Sequence, residues 1–230
     1  MNILAIGAHP DDIELGCAPV LIKEAKNGNQ VKHVVLSRGE AGSSGTPEGR
    51  EQEARDAARV IGASIEFWDF GGDCHIQYLP EHAFQIAAEI RRFKPEIVLA
   101  PHTDENQHPD HSVAGRLTRD ACRFARYGGL TALTPLPVHR VTGLYFYTIT
   151  QHVGFAPDIV IDVGDVMTEW EAAINCHQSQ VKSKSYLDLQ KTAARLLGLS
   201  IGTEYAIALY RNDPLRLNKL SDLTLSSRNF

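Results

Sequence analysis

No two cysteines of this sequence stand at C-x-x-C spacing; Cys17, Cys74, Cys122 and Cys176 are far apart. That excludes a zinc knuckle and a disulfide scaffold, and leaves reduced thiols packed as small apolar groups. There is no dense block of lysine and arginine, and the formal net charge is -5. The footprint of a nucleic-acid surface is therefore missing, and a neutral or weakly charged small molecule is the expected ligand. No apolar run approaches the length of a membrane span, and no basic segment precedes the first apolar run. Cleaving a signal peptide there would remove His9 and Asp12, so a cytoplasmic location is expected. The first turn, Gly7-Ala8-His9-Pro10, lacks G-x-G-x-x-G, which argues against a dinucleotide site. Internal repeats and composition breaks are also lacking.

What is present is a chain of 230 residues, 43% hydrophobic and 22% charged, enough for a sizeable core. The apolar runs at residues 3–7, 31–36, 65–68 and 97–100 read as strands. Between them, 18–26, 47–62 and 80–93 read as helices, the second opened by Thr46-Pro47-Glu48 as N-cap, first-turn proline and first-turn acid. Strand and helix in alternation through residue 126 predict a Rossmann-like open, mostly parallel α/β sheet with helices on both faces. In the common order 3-2-1-4-5 the first and fourth strands are neighbours where the order reverses. Beyond residue 126, stretches 141–147 and 158–162 read as strands, and 166–178 and 185–199 as helices. The expectation is one domain over 1–230, with a core to 126 and a C-terminal cap region over the site.

Chemistry is concentrated in two stretches. Ala8-His9-Pro10-Asp11-Asp12 follows the first strand, and His108-Pro109-Asp110-His111 follows the fourth. His9 and Asp12 offer an imidazole and a carboxylate suited to a borderline-soft divalent metal, with Asp11 free beside them. The bland alternative is an ordinary turn at each place, with Asp11, Asp12 or Asp110 capping the next helix. Neighbouring first and fourth strands would bring His9 and Asp12 beside His111. Arg50, in the first turn of the 47–62 helix beside the Gly/Ser loop 38–45, is a surface cation or a substrate contact.

The two motifs in this order resemble the LmbE-like (PIG-L) family of zinc-dependent N-deacetylases, over residues 3 to about 180. The resemblance implies one Zn2+ per subunit, with Fe2+ possible, held by His9, Asp12 and His111. It makes Asp11 the general base and His108, held by Asp110, the group that stabilises the oxyanion or protonates the amine. It turns Arg50 toward the sugar and implies an N-acetyl amino sugar or glycoside as substrate, and a homo-oligomer. Such a site would keep net positive charge and lower the pKa of a bound water to about 7. Gly71-Gly72-Asp73-Cys74-His75 departs from the family: Asp73 matches its acid, but Cys74 and His75 replace glycines, and we read them as loop packing rather than a second metal site. His152 and His177 resemble segments near the substrate and are read as structural. Two other classes stay open: an iron(II) oxygenase using the same two-His-one-carboxylate set, and a catalytically silent metal- or sugar-binding module.

Overall fold

The computed structural model describes residues 1–104, 107–149, 156–182 and 185–222. Seven strands form one sheet: β1 (Asn2–Gly7), β2 (Gln30–Val35), β3 (Ala63–Phe67), β4 (Ile97–Pro101), β5 (Gly143–Tyr147), β6 (Ile159–Asp162) and β7 (Ala206–Arg211). Their order is β3-β2-β1-β4-β5-β7-β6. The first five pair in parallel, in the order expected from the sequence, and β1 and β4 are in register from Ile3 opposite Ile97 to Ala5 opposite Leu99. β7 was not anticipated. It pairs antiparallel with both β5 and β6, so the C-terminal part extends the sheet.

The unbroken apolar run of β1 follows from burial on both faces. Ile3 and Ala5 point into one core with Leu21, Ile61 and Trp170. Leu4 and Ile6 point into the other with Ile86, Ile90 and Leu117. The first core is closed by α2 (Ala18–Lys26), α3 (Pro47–Ile61), α6 (Met167–Cys176) and α8 (Tyr186–Ile201), the second by α4 (Pro80–Phe93) and α5 (Pro109–Ala125). The remaining helices are short: α1 (Asp12–Gly16) follows β1 and α7 (Gln178–Val181) follows α6. Thr46 caps α3 as its sequence predicts, its Oγ1 accepting from the Gly49 N–H at 3.1 Å. Two buried bonds pin distant parts to β1 and α1, on either side of the first loop: Tyr147 Oη donates to the Ile6 carbonyl at 2.6 Å, and Trp170 Nε1 to the Glu14 carbonyl at 2.8 Å. Among the described residues no helix is long and apolar enough to cross a membrane.

Candidate metal centre

Parallel strands send their carboxyl ends, and the loops that follow, to one edge of the sheet. The loop after β1 carries His9, Asp11 and Asp12; the loop after β3 carries Asp73; the segment after β4 carries His108 and, in the first turn of α5, Asp110 and His111. Asp11 adopts φ +139°, a conformation that costs a residue with a side chain about 1–3 kcal/mol and is concentrated at functional sites. That turn separates the two adjacent carboxylates. Asp12 points inward, its Oδ2 accepting the Ala8 and His9 N–H groups at 2.8 and 2.9 Å. Both acids line the cleft, but Asp11 faces Arg50, its Oδ1 3.5 Å from Nη2.

Asp12 Oδ1 then faces His111 Nε2 at 3.2 Å and His9 Nδ1 at 3.6 Å, and the two imidazole nitrogens are 3.3 Å apart. Tetrahedral coordination at zinc-to-nitrogen and zinc-to-oxygen distances places neighbouring donors about 3.3 Å apart, so this buried triangle fits a small divalent ion. Burial alone would raise the Asp12 pKa; the His111 and His9 rings outweigh it and hold the carboxyl well below its usual range. Burial likewise opposes charge on His9, yet Asp12 and two further acids push its pKa well above 6.5. The acids thus call for positive charge at this point, which either protons or a cation can supply.

The other nitrogen of His9 is held as ligating histidines usually are, by carboxylates on its far side. His9 Nε2 is 3.1 Å from Asp73 Oδ1 and 3.2 Å from Asp110 Oδ2. The hydrogen bond from His9 lowers the Asp73 pKa to about 2, against the effect of burial. His9, Asp73, His108 and Asp110 form a second group whose donor atoms lie within 4.8 Å of one another. Asp73 entered the sequence reading only as the acid of a matching loop; its contact with His9 depends on β3 and β1 ending at the same edge.

His108 caps α5, its Nδ1 accepting the Asp110 N–H at 3.2 Å, which leaves Nε2–H facing the Cys74 Sγ at 3.5 Å on the wall of the cleft. Asp110 Oδ2 is 3.9 Å from His108 Nδ1, farther than from His9, and it also accepts the Cys74 N–H at 2.8 Å. Asp110 therefore bears on His9 more closely than on His108. Burial and the neighbouring charge of His9 lower the His108 pKa, so this ring is neutral near pH 7.

Arg50 is 5% exposed and is engaged with its own protein. Its Nη1 donates to the Gly39 carbonyl at 2.6 Å, and its Nη2 lies 3.4 Å from the Pro10 carbonyl and 3.5 Å from Asp11 Oδ1. The Gly/Ser loop wraps this guanidinium: Gly39 has φ +66°, and a Cβ there would sit 2.1 Å from Nη1. Burial raises the Asp11 pKa to about 6, with Arg50 acting in the opposite direction.

A cleft of about 310 Å³ opens above these groups, with Ser43, Ser44, Gln180 and Tyr186 on its rim and Asp11 and His111 on its floor. Cys74 also lines it, exposed and at φ +66°, while His75 turns back to its own loop, Nδ1 at 2.9 Å from the Asp73 carbonyl. His177 is buried against Glu14 rather than in the cleft. His152 lies outside the described residues.

An open α/β sheet with two imidazoles and a carboxylate at its switch point, and a further acid beside them, offers a candidate site for a divalent ion at the floor of a cleft. The chain belongs to the PIG-L family, whose model, described as GlcNAc-PI de-N-acetylase, matches residues 4–122. It is 30% identical over 192 residues to a diacetylchitobiose deacetylase of Thermococcus kodakarensis, covering 78% of this chain and 70% of that protein. It is 28% identical to a 4-oxalmesaconate hydratase of Pseudomonas putida, covering 78% and 74%. Its fold matches the crystal structure of a conserved protein from Thermus thermophilus with a TM-score of 0.84 at 32% identity, over 94% of this chain and 96% of that one.

Proposed function

We propose that the protein is a metal-dependent N-deacetylase that removes the acetyl group from an N-acetylated amino sugar or glycoside. The observation that carries this reading is the buried triangle of His9, Asp12 and His111 with Asp11 unengaged by it and facing the cleft. Zinc is the ion we assign, since two imidazoles and one carboxylate suit it, though iron(II) takes the same donors. Bound there, it would supply a Lewis acid and a water of lowered pKa.

The remaining chemistry belongs to this chain's side chains. Asp11 takes a proton from the water that attacks the amide carbon, its raised pKa keeping it a base near neutral pH while making it able to return the proton. His108 lines the cleft, and we assign its Nε2–H, which faces the Cys74 Sγ at rest, to the developing oxyanion and the leaving nitrogen; a single donor of this kind is worth about a hundredfold to a thousandfold in turnover. Asp73 and Asp110 hold the ring of His9 in one tautomer. Ser43, Ser44 and Gln180 offer neutral hydrogen-bonding groups of the kind a sugar uses.

Kinship to a hydratase supports a second reading, addition of water to a carbon–carbon double bond of a carboxylated substrate. The cleft argues against it. Arg50 is the one lysine or arginine among its described lining residues, and it is bound to Gly39, Pro10 and Asp11. Among the described lining residues a substrate with several carboxylates would find no free lysine or arginine, whereas a neutral acetamido sugar needs none. We place the protein in the cytoplasm on its sequence and infer a homo-oligomer on family resemblance.

The test is amine release from a panel of N-acetyl amino sugars and glycosides, run with zinc-loaded protein and repeated with Asp11→Asn. The variant should keep its zinc and lose about two to four orders of magnitude in rate. Loss of the metal, or retention of the rate, would sink the roles given to the two adjacent carboxylates. Absence of amine release, with hydration of an unsaturated acid in its place, would sink the deacetylase reading.

A further inference from the structure

A second and larger cleft, of about 550 Å³, lies away from the metal centre. Its wall is the carboxyl half of α5, the helix whose first turn carries His111. Seventeen residues at 1.5 Å each put the two ends of α5 about 25 Å apart, so this cleft lies toward the amino ends of the strands. Arg119 and Arg123 stand four apart on that helix, Arg126 is its C-cap residue, and the three line one face of the cleft. Arg140, on the segment that enters β5, lines the other, so folding gathers four arginines that no dense run in the sequence announces.

These charges are poorly matched from within. Arg119 reaches Asp120 at 3.5 Å, but Asp120 is shared with the Tyr78 hydroxyl. Arg123 and Arg140 make no side-chain hydrogen bond or ion pair among the described residues, and Arg126 only stacks on Tyr127, 5.5 Å from its ring centre. Asp213 supplies one further acid, already accepting from Asn212 at 2.8 Å. Like charges four apart on a helix destabilise it by a few tenths of a kcal/mol unless an anion lies between them. In a chain of net charge -5, an unneutralised arginine cluster at a cleft of ligand size is a local exception that asks for a counter-charge.

We propose that this cleft is a binding site for a small phosphorylated molecule carrying two or more negative charges. Guanidinium groups match phosphate oxygens in pairs, which is the advantage of arginine over lysine at such a site. Thr142 and Asn212 add uncharged groups for the rest of the ligand. A nucleic acid is a poorer fit, because the positive charge is confined to one cleft of a chain that is negative as a whole.

The experiment is calorimetric titration of inorganic pyrophosphate into the zinc-loaded protein and into Arg123→Ala/Arg140→Ala. Both positions are exposed, so the variant should keep its circular dichroism spectrum and its metal content. The wild type should bind with a dissociation constant at or below about 1 mM, and the variant at least about tenfold more weakly, as loss of charge-assisted bonds requires. No binding, or equal binding by the variant, would overturn the site, equal binding placing the anion at the metal centre instead. Citrate binding as tightly as pyrophosphate, with the same dependence on the two arginines, would overturn the assignment to phosphate.

Discussion

Asp11 and Arg50 show how much one pair of residues carries. Arg50 was expected to turn toward a sugar, and it does line the cleft, yet its guanidinium holds the Gly39 carbonyl and faces Asp11. Those contacts give it a second task, which is to fix the loop and keep the Asp11 pKa from rising further. Arg50→Ala should therefore lower kcat as well as raise KM, and move the acidic limb of the activity profile to higher pH, because the arginine no longer opposes burial. Arg50→Lys should not restore the rate, since an ammonium cannot reproduce the forked contacts. A rise in KM alone, at constant kcat, would return Arg50 to the simple substrate contact the family resemblance implies.

At the scale of elements, the helix expected over 166–178 is in fact broken at His177, whose φ and ψ of -79° and 57° separate α6 from α7. The break accompanies a buried ion pair. His177 Nε2 lies 3.5 Å from Glu14 Oε2, and His33 Nδ1 lies 3.9 Å from the other oxygen. Burial alone would lower the His177 pKa, but Glu14, with Asp11 and Glu53 farther off, raises it above 6.5. Burial alone would raise Glu14, and the facing imidazoles bring it below 4.5. Burial lowers the His33 pKa, with Glu14 acting in the opposite direction. A raised histidine stabilises the fold fully below its unfolded value near 6.5, and that contribution is lost as pH rises through the higher folded value. The lowered Glu14 contributes above about 4.5 and loses its effect as pH falls through its folded value. His177→Gln should thus cost about 3 kcal/mol near pH 6, where the buried acid loses its partner, with the deficit shrinking as pH rises. Urea unfolding of both proteins across this range measures it; a deficit that grew with pH would remove charge from the explanation.

The same segment marks the limit of what the sequence disclosed. β1 to β5 and their helices were legible because apolar runs, caps and prolines act locally; the order of the strands was the common one assumed, which parallel connection permits without selecting it. β7 was not legible: Ala206–Arg211 is short, and it becomes a strand only by pairing with β5 and β6, which are far away in the chain. His9, Asp12 and His111 could be named from their motifs. Asp73 as the partner of His9, and His177 as the partner of Glu14, could not, since each contact joins loops with no shared pattern.

Over the whole molecule, the candidate metal centre is a joint. His9 and Asp12 come from the loop after β1, His111 from the segment after β4, and Asp73, behind His9, from the loop after β3. Three acids and two histidines meet there almost out of contact with water, so a cation bound at the triangle would hold together segments that strand pairing joins only at a distance. Whatever binds the folded state alone stabilises it by RT ln(1 + [L]/Kd), about 2.7 kcal/mol at a hundredfold excess over Kd. For a chain of this size that is a rise in Tm of about 5–10 °C. Zinc added to chelator-treated protein should raise Tm by that amount, and the rise should continue with the logarithm of free zinc. His111→Ala should abolish most of it, because two remaining donors hold the ion weakly, while Arg123→Ala/Arg140→Ala should leave it intact. An equal rise in His111→Ala would locate the stabilising ion somewhere other than at this triangle.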